Sequence, residues 1–176
     1  ELKAWTRNHK WEAVAHEIVR KIESQIDVLE DLGVGHLTIN RSSKSLSSSE
    51  IQRIRVANQI LAPLSDVLYV FDEPSIGLHR EENERMIAHF RQLVKKGNTV
   101  IVVEHDLDTI RSADHIIEIG PEAGLNGGEV IFNGAFADFV QQKQLGEISP
   151  TFRALKGSKR KAKPISTANK SIRLIG

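Results

Sequence analysis

Val67-Leu68-Tyr69-Val70-Phe71-Asp72-Glu73-Pro74 is an apolar run that ends in two adjacent carboxylates and a proline. A run this short, rich in β-branched and aromatic side chains and stopped by Pro, predicts a strand over 67–71. Because it is apolar throughout, helices are expected on both of its faces. About thirty residues later, Thr99-Val100-Ile101-Val102-Val103 is a second such run, ending in Glu104-His105-Asp106. Between them, Met86, Ile87, Phe90, Leu93 and Val94 recur at helical spacing over 81–95, and the pattern stops at Gly97-Asn98. Strand, helix, strand argues for an α/β sheet with parallel pairing and a helical crossover. Such sheets bind ligands at the carboxyl ends of their strands, where Asp72, Glu73 and His105 fall.

Working outward, Trp11, Val14, Ile18, Ile22, Ile26 and Leu29 fit one stripe of a helix of about twenty residues ending near Gly33 and Gly35. Residues 38–49, rich in Ser with two basic residues, read as a surface loop. Ser47 with Glu50 three positions later fits a capping box, and Ile51, Ile54, Ala57, Ile60 and Leu61 continue a helix, which carries Arg53 and Arg55, as far as Pro63. Downstream we expect a short helix at 106–112, a strand at 115–119, a Gly-rich turn at 120–128, a strand at 129–132 and a helix at 135–143. From Ser149 the pattern thins. Arg153, Lys156, Lys159, Arg160, Lys161 and Lys163 form a basic stretch that reads as a linker or exposed loop before a strand at 171–175. The division expected is a helical part over 1–65, an α/β part over 66–148 and a basic linker over 149–176.

The chain has 176 residues, 40% of them hydrophobic, enough for a core at ordinary burial ratios. Its 24 basic and 23 acidic residues nearly cancel, so no global attraction to nucleic acid or anionic membrane follows. With no Cys, disulfides, thiolate zinc sites and a thiol nucleophile are excluded within these residues. No apolar run approaches a membrane span and the charged start is no signal peptide, so a soluble cytoplasmic protein without membrane association is expected.

Two carboxylates at one strand end suit different tasks. Asp72 suits a Mg²⁺ ligand acting through water, and Glu73 suits polarising the water that attacks a γ-phosphate. His105, ending the next strand, suits contact with that phosphate. The plainer alternative is a strand end followed by an acidic turn. No stretch reads G-x-x-x-x-G-K-[ST], and no Gly is followed by Lys. Lacking a cradle of backbone N–H groups and a lysine for the phosphates, the chain alone is expected to bind ATP poorly and to be inactive.

Leu46-Ser47-Ser48-Ser49-Glu50-Ile51-Gln52-Arg53, Asp72-Glu73-Pro74-Ser75-Ile76-Gly77-Leu78-His79 and Val103-Glu104-His105-Asp106 together resemble the signature, Walker B, D-loop and H-loop series of ABC-type ATPases. Within that superfamily the chain is similar to the UvrA family of damage-recognition ATPases. The Gly77-Leu78-His79 ending, the run from Gly97 to His105 and the Gly-rich stretch from Gly120 to Val130 carry that likeness. The resemblance implies an ABC-ATPase-like partial nucleotide-binding domain, with a helical signature subdomain preceding a mostly parallel sheet. It implies ATP and Mg²⁺ as cofactors, Glu73 and His105 as catalytic residues, Asp72 as a Mg²⁺ ligand, and Ser47, Ser48, Ser49 and Glu50 as signature residues facing nucleotide. It places the chain at the carboxyl-terminal part of a first ATPase module, with the P-loop upstream of Glu1. The partners implied are a second module of the same protein, a UvrA homodimer, the UvrB subunit and damaged DNA.

The family's signature reads Leu-Ser-Gly-Gly-Glu, whereas here Ser48 and Ser49 stand where two glycines are expected. Two readings stay open: side chains that crowd a phosphate and forbid positive φ, or a backbone already at negative φ that tolerates Ser. His9, His16, His36, His79, His89 and His115 show no metal-ligand spacing and read as surface or cap residues. A paralogous ATPase of drug resistance or export, and a catalytically degenerate binding module, remain as other functions. The basic tail reads as a solvated linker, with contact to DNA phosphates as its functional alternative.

Overall fold

The computed structural model describes residues 12–62, 64–120 and 127–157. Trp11, His9, Pro63, residues 121–126 of the Gly-rich turn, the basic positions from Lys159 to Lys163 and the strand expected at 171–175 lie outside the described residues. The chain forms two compact units, one ending at Asp114 and one beginning at His115.

In the first unit, α1 (Glu12–Asp31), a 3-10 turn (Ser43–Ser45) and α2 (Ser48–Leu61) precede β1 (Leu68–Asp72), α3 (Arg80–Lys95), β2 (Thr99–Val103) and α4 (Leu107–Arg111). β1 and β2 pair in parallel, Leu68 opposite Thr99 through Asp72 opposite Val103, with α3 as the crossover. The ladder continues past both ends, as the Thr99 N–H donates to Val67 O (3.0 Å) and the Glu73 N–H to Val103 O (2.9 Å). Asn98 explains the stop after α3. Buried, it accepts from the Val67 N–H through Oδ1 and donates through Nδ2 to the carbonyls of Leu64 and Leu93, fastening the start of β1 to the end of the helix.

The core is one-sided. Tyr69 and Phe71 of β1 pack with Met86, Phe90 and Leu93 of α3, Val56, Ala57 and Ile60 of α2, Val28 of α1 and Leu32 directly after it. Phe71 stacks on Phe90 at a centroid distance of 4.4 Å. Burying a side chain such as Met86 or Leu93 contributes about 1.5–3 kcal/mol over leaving it exposed. Leu68 and Val70 face the other way and are more than half exposed, as is Val103, with Ile101 close behind. The expectation of a β1 covered on both faces is therefore corrected: the helices lie over the Tyr69–Phe71 face alone. The stripe expected on α1 is corrected too. Val14, Ile18 and Ile26 are exposed because only the last turns of α1, with Val28 and Leu29, and Leu32 directly after the helix reach the core. Val94 of α3 likewise points to solvent.

In the second unit, β3 (His115–Gly120) pairs antiparallel with β4 (Glu129–Ala135), followed by α5 (Phe136–Phe139), α6 (Leu145–Ile148) and α7 (Pro150–Gly157). Only residues 121–128 separate the two strands, fewer than the dozen or more that a parallel crossover needs, so antiparallel pairing is the one open to them. Phe139, Leu145 and Phe152 form its core. The helix expected over 135–143 is only four residues long, since β4 runs on to Ala135. Residues 150–157, read as part of a linker, are helical. The reason is a buried cap: Ser149 Oγ accepts from the Phe152 N–H (2.8 Å) and donates to Glu118 Oε2 (2.6 Å), while Glu118 Oε1 accepts from the Thr151 N–H. Among the described residues, no helix is long and apolar enough to cross a membrane.

Candidate functional site

The parallel register sets Asp72 beside Val103, so the residues after each strand emerge together. His105 Nδ1 lies 3.7 Å from Glu73 Oε1, and both side chains are open to solvent. The Asp72 side chain is also exposed. Glu73 holds a φ of +44°, in the left-handed region that non-glycine residues enter rarely and at a cost of about 1–3 kcal/mol. Its N–H bond to Val103 O anchors it on one side.

The signature segment is built from its cap. Ser47 is the N-cap of α2; its Oγ accepts from the Glu50 N–H (3.2 Å), and its own N–H donates to Glu50 Oε2 (2.7 Å), completing the capping box. Glu50 Oε1 lies 3.1 Å from His36 Nε2 and 3.7 Å from Arg41 Nη1. The bond from the Ser47 backbone, then that from the Ser47 hydroxyl, then His36 and Arg41, hold the Glu50 carboxyl down to about 2. Ser48 and Ser49 form the first turn of α2, and neither has a positive φ. That decides the backbone question left open by the sequence: serine is accommodated there without left-handed strain. Ser49 Oγ lies 3.2 Å from Ser47 Oγ.

Two residues beside the capping box tie α2 to the strand end. Gln52 Nε2 donates to Asp72 O (2.9 Å), and the Arg53 guanidinium donates to the carbonyls of Gly77 and Gly33. Through these bonds Ser47–Glu50 and Asp72–Glu73 belong to one framework in the same unit. Sequence reasoning assigned no role to Gln52, Arg53 or Glu104. The signal was their position inside the quoted motifs, directly after Glu50-Ile51 and directly before His105.

Asp106 caps α4 by accepting from the Asp108 and Thr109 N–H groups, and it also accepts from Thr109 Oγ1 and from Asn83 Nδ2 on α3. Partial burial raises its pKa, but these hydrogen bonds, those from Thr109 foremost, outweigh it and leave the carboxyl below its ordinary value. Asp106 is thus a structural clamp behind His105.

No cluster of three His, Asp or Glu able to hold a metal occurs among the described residues. His115 is exposed and meets Asn133, and His79 is the N-cap of α3, as expected, but His89 is corrected: only 13% exposed, it pairs with Asp31 in the partly buried contact between α1 and α3. A single exposed carboxylate at a strand end fits Mg²⁺, which keeps several waters and shares its remaining ligands with substrate phosphates.

No family model matches the chain. The UvrABC system protein A of Borreliella burgdorferi is 51% identical over 132 residues, covering 75% of this chain and 14% of that protein. That of Mycoplasmopsis pulmonis is 46% identical over 158 residues, or 90% of this chain and 16% of its own. The crystal structure of UvrA2 from Deinococcus radiodurans superposes with a TM-score of 0.70 at 38% identity, covering 84% of this chain and 17% of that one. The chain thus spans about one-sixth of the relatives it matches.

Proposed function

We propose that this UvrA-like chain, similar over most of its length to one segment of UvrABC system protein A, supplies half-sites to an ATP-hydrolysing, damage-recognising protein of nucleotide excision repair. The observation that carries the reading is the meeting of Glu73 and His105, 3.7 Å apart, on the ends of adjacent parallel strands. The structural cost of a left-handed Glu73, with its side chain left in solvent, supports a carboxylate kept for a ligand.

In this reading Asp72 would hold Mg²⁺, which when bound would supply charge neutralisation to the phosphates. Glu73 accepts a hydrogen bond, and then the proton, from the attacking water. His105 turns Nδ1 toward that carboxylate, which leaves Nε2 for a phosphate oxygen. Ser47, Ser48, Ser49 and Glu50 present the first turn of α2 to the phosphates held by another module, where helix N–H groups favour an anion. Residues 1–65 serve as signature subdomain and 66–148 as α/β part, and α7, which packs Phe152 with Phe139 and Leu145, extends that part before any linker begins. A UvrA-type homodimer, a second module, UvrB and damaged DNA are the partners, and the cytoplasm the compartment, of the whole protein.

The test is single-turnover ATP hydrolysis by the full-length protein carrying Glu73→Gln. Retained nucleotide binding with hydrolysis slowed on the order of a hundredfold or more supports the role, since a positioned proton acceptor contributes 10²–10⁴-fold. Normal hydrolysis would remove it.

A further inference from the structure

We propose that Glu104 is a positioning residue whose carboxylate fixes the placement of Glu73 relative to His105, a role that rests on the ATPase reading above. Glu104 is half-buried between the two strand ends. Its Oε1 accepts from the Ser75 N–H at 2.8 Å, while its Oε2 accepts from the N–H groups of His105 at 3.1 Å and Asp106 at 3.3 Å. One carboxylate therefore joins the turn after β1 to the residues after β2, alongside the solvent-exposed Glu73–His105 pair. Bonds from N–H to an ionised carboxylate are the stronger kind.

The consequence falls on Glu73. Its left-handed φ persists only if neighbours over-determine it. On its amino side, the Glu73 N–H is held by Val103 O; on its carboxyl side, past the buried Pro74, the Ser75 N–H is held by Glu104. Val103 and Glu104 are consecutive, so β2 grips the turn after β1 at both ends of the strained residue. The oxygen of Glu104 that does not hold Ser75 sets the backbone of His105 itself. Removing Glu104 frees the carboxyl-side anchor, lets Glu73 relax from the left-handed region and carries its carboxylate away from His105.

Two measurements on Glu104→Ala and the isosteric Glu104→Gln, which keeps one acceptor oxygen, decide the matter. In the 176-residue chain, Ser75 amide exchange is expected to quicken about tenfold or more in Glu104→Ala, as loss of a charge-assisted bond implies, with Phe71 and Val102 amides unchanged. In the full-length protein, kcat for ATP is expected to fall on the order of ten- to a hundredfold, the scale of a small misplacement of reacting groups, with KM for ATP within about twofold. Glu104→Gln should lie between wild type and Ala in both measurements. Ser75 exchange unchanged in both variants, or kcat unchanged where Ser75 exchange has quickened, overturns the proposal; so does a KM that rises in step with the fall in kcat. If Glu104→Ala unfolds, seen as quickened exchange at Phe71 and Val102, the Gln variant decides by the same criteria. A wild-type full-length protein without hydrolysis refutes the ATPase reading and the kinetic role with it, whereas hydrolysis indifferent to Glu104 refutes this proposal alone.

Discussion

His105 Nδ1 stands 3.7 Å from Glu73 Oε1 although thirty-one residues lie between them in the sequence, because parallel pairing of β1 and β2 brings the two strand ends level. With side chains 72% and 48% exposed, the pair adds little to stability, as solvent-exposed ion pairs do. Glu73→Gln is therefore expected to leave the thermal midpoint of the chain unchanged, within the roughly 0.5 kcal/mol typical of surface substitutions. His105→Ala should behave alike in calorimetry while impairing hydrolysis in the full-length protein. A large loss of stability in either variant would mark the pair as structural.

The isolated 176-residue chain is expected to turn over Mg·ATP at background. No glycine-rich cradle followed by lysine is present to hold the phosphates opposite Asp72 and Glu73. A steady-state phosphate-release assay checks this. Robust release that Glu73→Gln abolishes would reveal a phosphate cradle in the chain.

The parallel βαβ unit and the capping box were legible because both are local patterns: an apolar run, a helical period, Ser47 and Glu50 three apart. What the sequence could not show was which face of β1 would be covered. Leu68 and Val70 are as apolar as Tyr69 and Phe71, and periodicity does not tell a strand buried on both faces from one buried on one. Helix α7 was missed for a related reason. Its cap depends on Glu118, thirty-one positions before Ser149, and no local rule connects them. At the site, Asp72, Glu73 and His105 were legible as strand ends, but Gln52, Arg53 and Glu104 act through backbone carbonyls and N–H groups that a sequence does not display.

The Glu50 carboxyl gives a pH dependence whose direction is fixed. Its folded value, about 2, lies below the ordinary 4.5, mainly through the Ser47 backbone and hydroxyl bonds. Folding therefore favours the ionised form, so its contribution is complete above pH 4.5 and lost as the pH falls toward 2. Denaturant midpoints measured from pH 5 to pH 2 should decline for the wild type, and Glu50→Gln should flatten part of that decline. Parallel curves for the two proteins would contradict the capping-box bond as a source of the shift.

Restoring glycine at Ser48 and Ser49 is expected to destabilise, not relieve, α2. Both are ordinary first-turn residues at negative φ, and glycine within a helix costs roughly 0.5–1 kcal/mol per position through backbone entropy. The double variant should melt a few degrees lower than wild type while the Ser47–Glu50 box persists. An unchanged or raised melting temperature would mean that the serine side chains are strained or crowded in the native state.

Gly77 is the position where the turn after β1 requires glycine. Its φ is +74°, and a Cβ there would stand 2.9 Å from Arg53 Nη2, the atom that donates to the Gly77 carbonyl. The contact falls on the end of a long side chain, yet Arg53 has little freedom to retreat. Its other terminal nitrogen is bonded to Gly33 O, and its buried Nε has no hydrogen-bond partner among the described residues to offset further displacement. Gly77→Ala should therefore lower stability by about 1–2 kcal/mol from the left-handed backbone alone, and by more if the Arg53 bonds are lost. Gly77→Asn separates the two effects, because Asn tolerates the left-handed region but still carries a Cβ. Equal losses for Ala and Asn in denaturant unfolding would assign the cost to Arg53, and a near-neutral Asn would assign it to the backbone. If neither variant loses stability, the bond between Arg53 and Gly77 does not hold α2 to the turn that carries Glu73.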